Sequence, residues 1–206
     1  MKIRIYLLVF LSVFAVASHA QTSMKEMWVA MPDSLYPYLN KNMRREMAER
    51  YEVKDSTTVQ HLLNGRSRML SLTDSYAKAE LNESALIELK SYVTASSDTL
   101  LWVVKTYLSP EPESEIYVTS PSWKEMKRMA LPYSLHDFFP DTIETSYADE
   151  LERIVSPVMI GAALSPEADT VSLTLSLPAL YGEEKKKAEN TLRRLTLTFN
   201  ELTAAP

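Results

Sequence analysis

Apolar and polar residues alternate along several short stretches in the middle of the chain. Three of these stretches are 77–81, 84–93 and 99–108, and a further strand is indicated around Ile116 and Val118. A period of two residues is typical of β-strands with one buried face. The connecting segments are only a few residues long, which favours antiparallel pairing because parallel strands need a long crossover. The pattern therefore predicts an antiparallel meander.

A period close to four residues indicates helices before and after this meander. Leu39, Met43, Met47 and Tyr51 share one face of a predicted helix that Asn40 opens as an N-cap residue. Two more helices are predicted: a short one in 21–32, and one with the apolar stripe Tyr147, Leu151, Ile154 and Val158 that Thr142 or Ser146 caps. The last part of the chain adds a strand at 170–177, a charged helix at 183–194 and a strand at 195–199.

These elements together predict an α+β fold, in which helices pack on one face of an antiparallel β-meander. We expect residues 21–206 to form a single α+β domain. Two loosely joined parts, 21–132 and 133–206, are the alternative arrangement.

The first twenty residues have the pattern of an export signal. Lys2 and Arg4 give a positive start, an apolar run follows from Ile5 to Val16, and Ser18 and Ala20 are the small residues of a cleavage site. The sequence therefore predicts a signal peptide over residues 1–20, with cleavage after Ala20 and a periplasmic or secreted product. An uncleaved anchor is the alternative, and no later segment is predicted to span a membrane.

Charge and composition exclude several classes of function. The chain of 206 residues carries a net charge of −5, and loss of Lys2 and Arg4 with the signal leaves 20 basic against 27 acidic residues, a net charge of −7. An acidic chain of this kind is not expected to bind nucleic acid through its phosphates. Three glycines cannot form a glycine-rich phosphate loop, and the absence of cysteine excludes disulfides and thiolate chemistry. We expect neither a cofactor nor a tightly held metal.

Few residues are candidates for catalysis. His61 and His136 are the histidines left after signal removal, and no G-x-S-x-G motif accompanies any serine. Acidic residues occur at Glu111, Glu113, Glu115, Glu144, Asp149 and Glu150. A solvated loop and a polar helix face explain them more simply than a paired-carboxylate site does. The sequence therefore predicts no catalytic residue.

Methionines and aromatic residues are concentrated near the start of the mature chain. Met24, Met27 and Met31 have the spacing of a buried helix face, and soft thioethers could alternatively bind Cu(I). The aromatic residues are Trp28, Tyr36, Tyr38 and Tyr51. Such residues fill cores between a helix and a sheet, or anchor an interface, and we favour the core in both cases.

One string in this region resembles a known family. The segment 31–42, MPDSLYPYLNKN, is similar to the opening of the DUF3256 family, which comprises uncharacterised exported proteins of the Bacteroidales. Further similarities lie at Asn64–Ser67 with Leu72–Asp74, at Ser122–Lys124, at Leu164–Pro166, and at Leu177–Pro178 with Glu183–Lys185. The resemblance spans nearly the whole mature chain and implies a lineage and a compartment, without a mechanism.

The same lineage suggests a modification. Exported Bacteroidales proteins are commonly O-glycosylated at Ser or Thr that follows Asp and precedes an aliphatic residue or Thr. Five of the eight aspartates lie in such triplets, which makes the candidate acceptors Ser34, Ser56, Thr99, Thr142 and Thr170. Aspartate before Ser or Thr also caps helices and closes turns, and that reading places the residues on the surface as well.

These observations lead to an expectation about function. We expect an exported, non-catalytic protein that binds or supports another component of the cell envelope, either a protein or a glycan. The alternatives are an envelope hydrolase with an unrecognised carboxylate site, and a periplasmic chaperone or inhibitor with an aromatic binding surface. A deep pocket with converging acids or His136 would favour the enzyme, whereas an exposed apolar surface would favour binding.

Overall fold

The structure is a computed structural model that describes residues 22–204. The predicted signal peptide and its cleavage site lie outside the described residues. The described part begins with two helices, α1 (Met24–Ala30) and α2 (Lys41–Glu52). Ser23 and Glu26 form a capping box at the start of α1, and the Asn40 side chain accepts hydrogen bonds from the first amides of α2. The helix predicted from Asn40 is confirmed.

Seven antiparallel strands follow in sequence order and form what we call the main sheet. They are β1 (Thr58–Gln60), β2 (Arg66–Leu72), β3 (Tyr76–Asn82), β4 (Ala85–Val93), β5 (Thr99–Tyr107), β6 (Glu113–Thr119) and β7 (Lys127–Arg128). The order β1 to β7 is a pure meander, as the short connections predict. Strands β3 to β6 agree with the sequence pattern, whereas β1, β2 and β7 were not predicted.

The main sheet is covered on both faces. Ile87, Leu89 and Leu101 belong to a core that includes α1 and α2 on one face. Trp102 and Val104 belong to a separate core on the other face. Helices α1 and α2 therefore pack on one face, as predicted, and the central strands are buried on both sides because neither side meets water.

A second, three-stranded sheet covers the other face. It consists of β8 (Met159–Leu164), β9 (Thr170–Ser176) and β10 (Leu195–Thr198), in the order β10–β9–β8. A 3₁₀ turn (Leu135–Phe138) and the helices α3 (Thr145–Ile154), α4 (Gly182–Thr191) and α5 (Phe199–Ala204) surround it. The whole molecule is an α+β fold.

Three details of the C-terminal helices differ from the prediction. Helix α3 ends at Ile154, so the predicted stripe residue Val158 lies outside it. The N-cap residue of α3 is Glu144, which makes no side-chain cap bond, so the predicted cap at Thr142 or Ser146 is wrong. Helix α4 ends at Thr191 and not at Arg194. The chain becomes extended at Leu192, and the Arg193 amide then donates to the carbonyl of Phe138 in the 3₁₀ turn.

The two sheets meet through buried polar contacts as well as apolar ones. The Glu88 side chain, only 3% exposed, accepts a hydrogen bond from the Leu164 amide at 2.7 Å and pairs with Lys78 at 2.8 Å. The buried Lys90 ammonium donates to the Pro166 carbonyl at 2.7 Å. These contacts join 21–132 to 133–206, and how loosely the two parts are coupled stays a prediction.

The N-terminal helices are tied down by a buried arginine and two tryptophans. The Arg44 guanidinium donates to the carbonyls of Leu39 and Met31 and pairs with Asp33 at 2.9 Å. The Trp28 indole donates to the Arg44 carbonyl, and the Trp123 indole, from the loop after β6, donates to Met27. Among the described residues, no helix has both the length and the apolar character needed to cross a membrane.

Substitution of Trp102 tests the core between the sheets. Its fully buried indole stacks on the Phe199 ring with centroids 4.4 Å apart. We expect Trp102→Ala to lower the free energy of unfolding by about 3–5 kcal/mol in a denaturant titration, because a large cavity is left. Tyr107→Ala, an exposed aromatic on the same strand, is the control. Equal midpoints for the two variants would contradict the described packing.

Glu88 allows a matched test of the polar junction. We expect Glu88→Ala to cost about 3 kcal/mol in thermal or chemical unfolding, because it leaves the buried Leu164 amide without its acceptor and removes the partner of the half-buried Lys78. Glu80→Ala removes a comparable cross-strand pair with Arg68 that lies at the surface. It should leave the midpoint almost unchanged. A Glu88 variant as stable as the Glu80 variant would refute the role of the junction.

Candidate binding groove at the open edge of the main sheet

A groove lies where the last strands of the main sheet approach β8. Its volume is about 410 Å³. Glu113 to Ile116 of β6 form its floor, the segment Arg128 to Leu131 forms one wall, and Val158 and Ile160 form the other. We call this space the edge groove.

The β6 side of the groove is an open sheet edge. Strand β7 pairs only with Tyr117 and Val118, and the last contact beyond it is the Met129 amide bonded to the Ile116 carbonyl. Peptide groups of an antiparallel strand point alternately to its two neighbours, so Ser114 directs its N–H and C=O to the same side as Ile116. In the described part of the chain no hydrogen bond occupies that peptide group.

The β8 side of the groove is also an open edge. The Ala162 amide donates to the Ser114 hydroxyl at 2.8 Å, and the Leu164 amide donates to Glu88. By the same alternation the peptide group of Ile160 faces this direction. No hydrogen-bond partner among residues 22–204 reaches the Ile160 peptide group. Both sheets therefore present unpaired main-chain groups to the edge groove.

Charge is distributed unevenly on the floor of the groove. The Glu115 carboxylate accepts from the Tyr117 hydroxyl at 3.0 Å and pairs with Arg128 at 3.1 Å and with Lys105 at 3.9 Å. Burial, and then the hydrogen bond to Glu115, raise the pKa of Tyr117. Glu113 lies two residues earlier on the same face of β6, is exposed, and makes no ion pair with any described residue. One acid is therefore neutralised by neighbours and one is left free.

Comparison with known proteins gives the lineage of the chain. A family described as "Protein of unknown function (DUF3256)" matches residues 15–202. The chain belongs to this family. Among solved structures, a domain of an uncharacterized protein from Porphyromonas gingivalis W83 superposes with a TM-score of 0.67 at 20% identity, covering 86% of this chain and 94% of that one. At this identity the likeness concerns the fold, and no curated protein matches the chain.

The two histidines of this DUF3256 protein lie outside the edge groove. His61 is buried in the turn between β1 and β2, against the Tyr38 ring at 4.7 Å, and its Nδ1 accepts from the Leu63 amide. Gly65 is required beside it, since a Cβ there would lie 2.4 Å from the imidazole Nε2. His136 lies on the 3₁₀ turn, exposed, with its Nε2 2.7 Å from Glu152. Neither histidine lines the groove.

The methionine and aromatic clusters are core residues, as interpreted from the sequence. Met24, Met27 and Met31 are all buried in the core that α1 shares with the main sheet. Trp28 and Tyr36 are buried in the same core, and Tyr38 and Tyr51 pack against it. The remaining acids are dispersed, and among the described residues no group of three His, Asp or Glu could hold a metal ion.

The five predicted glycan acceptors lie at element boundaries. Ser34, Ser56 and Thr142 are exposed in loops, whereas Thr99 and Thr170 are half-buried as the first residues of β5 and β9. Thr99 pairs with Val93 and Thr170 with Thr198 in the sheets. The loop acceptors are therefore the more accessible to a transferase.

Intact-mass measurement tests the modification. We expect at least two of the five acceptors to carry a glycan in the native host, beginning with the loop residues Ser34, Ser56 and Thr142, and none in a host that lacks the pathway. Ser75 follows Asp74 but precedes Tyr76, so it serves as an internal control that should stay unmodified. Equal masses from the two hosts would refute the modification.

The edge groove was not recognisable from the sequence. Ile116 and Val118 predict β6, but the pattern does not say where the neighbouring strand stops. The other wall comes from Val158 and Ile160, about forty residues away in the chain, at a run that the sequence did not identify as a strand. The signal that the sequence does offer for this groove is the pair Met129 and Leu131, two apolar residues in a segment without a clear helix or strand period.

Proposed function

We propose that this DUF3256 protein is exported, acts without catalysis of its own, and binds another component of the cell envelope through the edge groove. The observation that carries the proposal is the meeting of two open sheet edges, from β6 and β8, in one groove whose walls carry the apolar residues Met129, Leu131, Val158 and Ile160. Unpaired edges and exposed apolar side chains are surfaces that proteins normally cover.

The walls of the groove are suited to binding. Val158 is 43% exposed, and Met129 and Leu131 are only partly buried although they pack against the core between the sheets. Burial of such side chains by a partner is favourable at about 25 cal/mol per Å² of apolar surface. The groove therefore offers both a hydrophobic gain and polar groups that orient a ligand.

The residues in the groove favour binding over hydrolysis. A carboxylate pair is present in Glu113 and Glu115, but Glu115 is engaged by two cations and a phenol. Hydrolysis by a carboxylate pair needs both groups at the substrate, and here only Glu113 has no partner among the described residues. A chaperone acting through the aromatic cluster is also disfavoured, because Trp28 and Tyr36 are buried.

Export rests on the N-terminal sequence. Lys2, Arg4, the apolar run Ile5–Val16 and the small residues Ser18 and Ala20 support a signal peptide. A mature protein that begins at Gln21, found in the envelope fraction by N-terminal mass analysis, is the corresponding expectation.

Site-specific photocrosslinking in the native host tests the proposed function. A photoreactive amino acid replaces Ala130, an exposed residue of the groove wall, or Ala95, an exposed alanine in the loop between β4 and β5. We expect one discrete adduct from position 130 and none from position 95. Mass spectrometry should identify the adduct as an envelope component.

A second substitution makes the crosslink specific to the groove. Val158→Lys places a charge on the apolar wall and should reduce the adduct about tenfold. Val93→Lys changes a comparably exposed valine at the end of β4 and should not reduce it. Identical adducts from both alanine positions, or an adduct that Val158→Lys does not reduce, would overturn the proposal. Hydrolysis of an envelope polymer that depends on Glu113 would favour the enzyme instead.

A further inference from the structure

We propose that the occupant of the edge groove is an extended peptide segment that adds to β6 as a new strand, with an apolar side chain towards β8 and a basic side chain beside Glu113. This inference rests on the proposed function, since it names the ligand of the same groove. It is carried by the main-chain groups, the side-chain alternation and the charge of the floor.

Main-chain geometry favours a peptide. The Ser114 peptide group offers one donor and one acceptor in the plane of the main sheet, in the position that β7 would fill if it continued. A neighbouring strand would lie about 4.8 Å away and bond to both groups. On the opposite wall β8 lies over one face of such a strand and meets its side chains. An extended backbone has donors and acceptors along its edges, and it is therefore the ligand that pairs with the Ser114 peptide group.

Side-chain alternation then assigns the two faces of the bound strand. Ser114 and Ile116 direct their side chains towards the second sheet, because Ser114 contacts Ala162 and Ile116 belongs to the core between the sheets. A residue paired with Ser114 shares that face and lies beside Val158 and Ile160. An apolar side chain fits this position.

Charge specifies the other face. The neighbouring positions of the bound strand lie on the side of Glu113 and Glu115. Glu115 already has Arg128 and Lys105 as partners, whereas Glu113 has none within the described residues. A lysine or arginine of the ligand would supply the missing cation at an exposed site, which adds selectivity more than affinity.

Three designed peptides test the strand pairing. The first alternates lysine and valine over nine residues, the second has the same sequence with its valines N-methylated, and the third has glutamate in place of lysine. We expect the first to bind the full chain, and both others to bind at least about tenfold more weakly, through loss of main-chain donors or of the charge match. Exchange of the Ser114 amide with solvent should slow about tenfold or more when the first peptide is bound.

Charge reversal on the protein provides the matched control. Glu113→Lys should reverse the preference from the lysine peptide to the glutamate peptide, whereas Glu83→Lys, in the exposed turn between β3 and β4, should not change it. Binding that ignores N-methylation, protection that maps away from Ser114, or no binding of the lysine peptide would each overturn strand addition. If the Ser114 amide exchanges slowly in the protein without peptide, and that protein has the mass of a dimer, the β6 edge pairs with a second copy of the chain instead.

The peptide experiments test the strand pairing, and the crosslinking experiment tests the binding of an envelope partner, so the two claims can fail separately. A groove-dependent adduct at position 130 together with failure of all three peptides would leave an envelope partner that does not bind as a strand. Absence of the adduct would overturn both the proposed envelope partner and the proposed strand pairing.

Discussion

The free edge of β8 faces the surface of the main sheet, and its amides must find acceptors there. A backbone donor buried without a partner is costly, so acceptors on the sheet surface decide where β8 can lie. Glu88 accepts from Leu164 and Ser114 accepts from Ala162. These two contacts fix the position of the second sheet across β4 and β6. They also determine that the next peptide group along β8, that of Ile160, passes beyond the last acceptor and faces the edge groove.

The charges on β4 follow from the same requirement. Alternation along β4 suggests that Glu88 and Lys90 point to solvent on the polar face of a half-buried strand. Both are buried, because the second sheet covers that face and presents an amide at Leu164 and a carbonyl at Pro166. The sequence shows the alternation correctly, but a covered polar face looks the same as an exposed one when only one chain segment is considered.

Prediction from the sequence succeeded where a local pattern decides the structure. Asn40 caps α2 through its own side chain, and the alternating stretches of β3, β4 and β5 form strands because their apolar residues face a core. It failed at β2, where Ser67 takes an inward position and the pairing shifts between Met69 and Ser71. The edge groove could not be predicted at all, since it depends on the end of one strand and the crossing angle of another, which are properties of tertiary packing.

The N-terminal helix has a consequence for maturation. Helix α1 contributes Met24, Met27 and Trp28 to the core, and only Gln21, Thr22 and Ser23 separate it from the expected cleavage point. In a chain exported as we propose, the three residues between the leader and α1 would span at most about 10 Å, so a leader still held at a membrane would keep the helical layer close to that membrane. Removal of the leader would release this layer, and with it the folded protein, from the membrane surface.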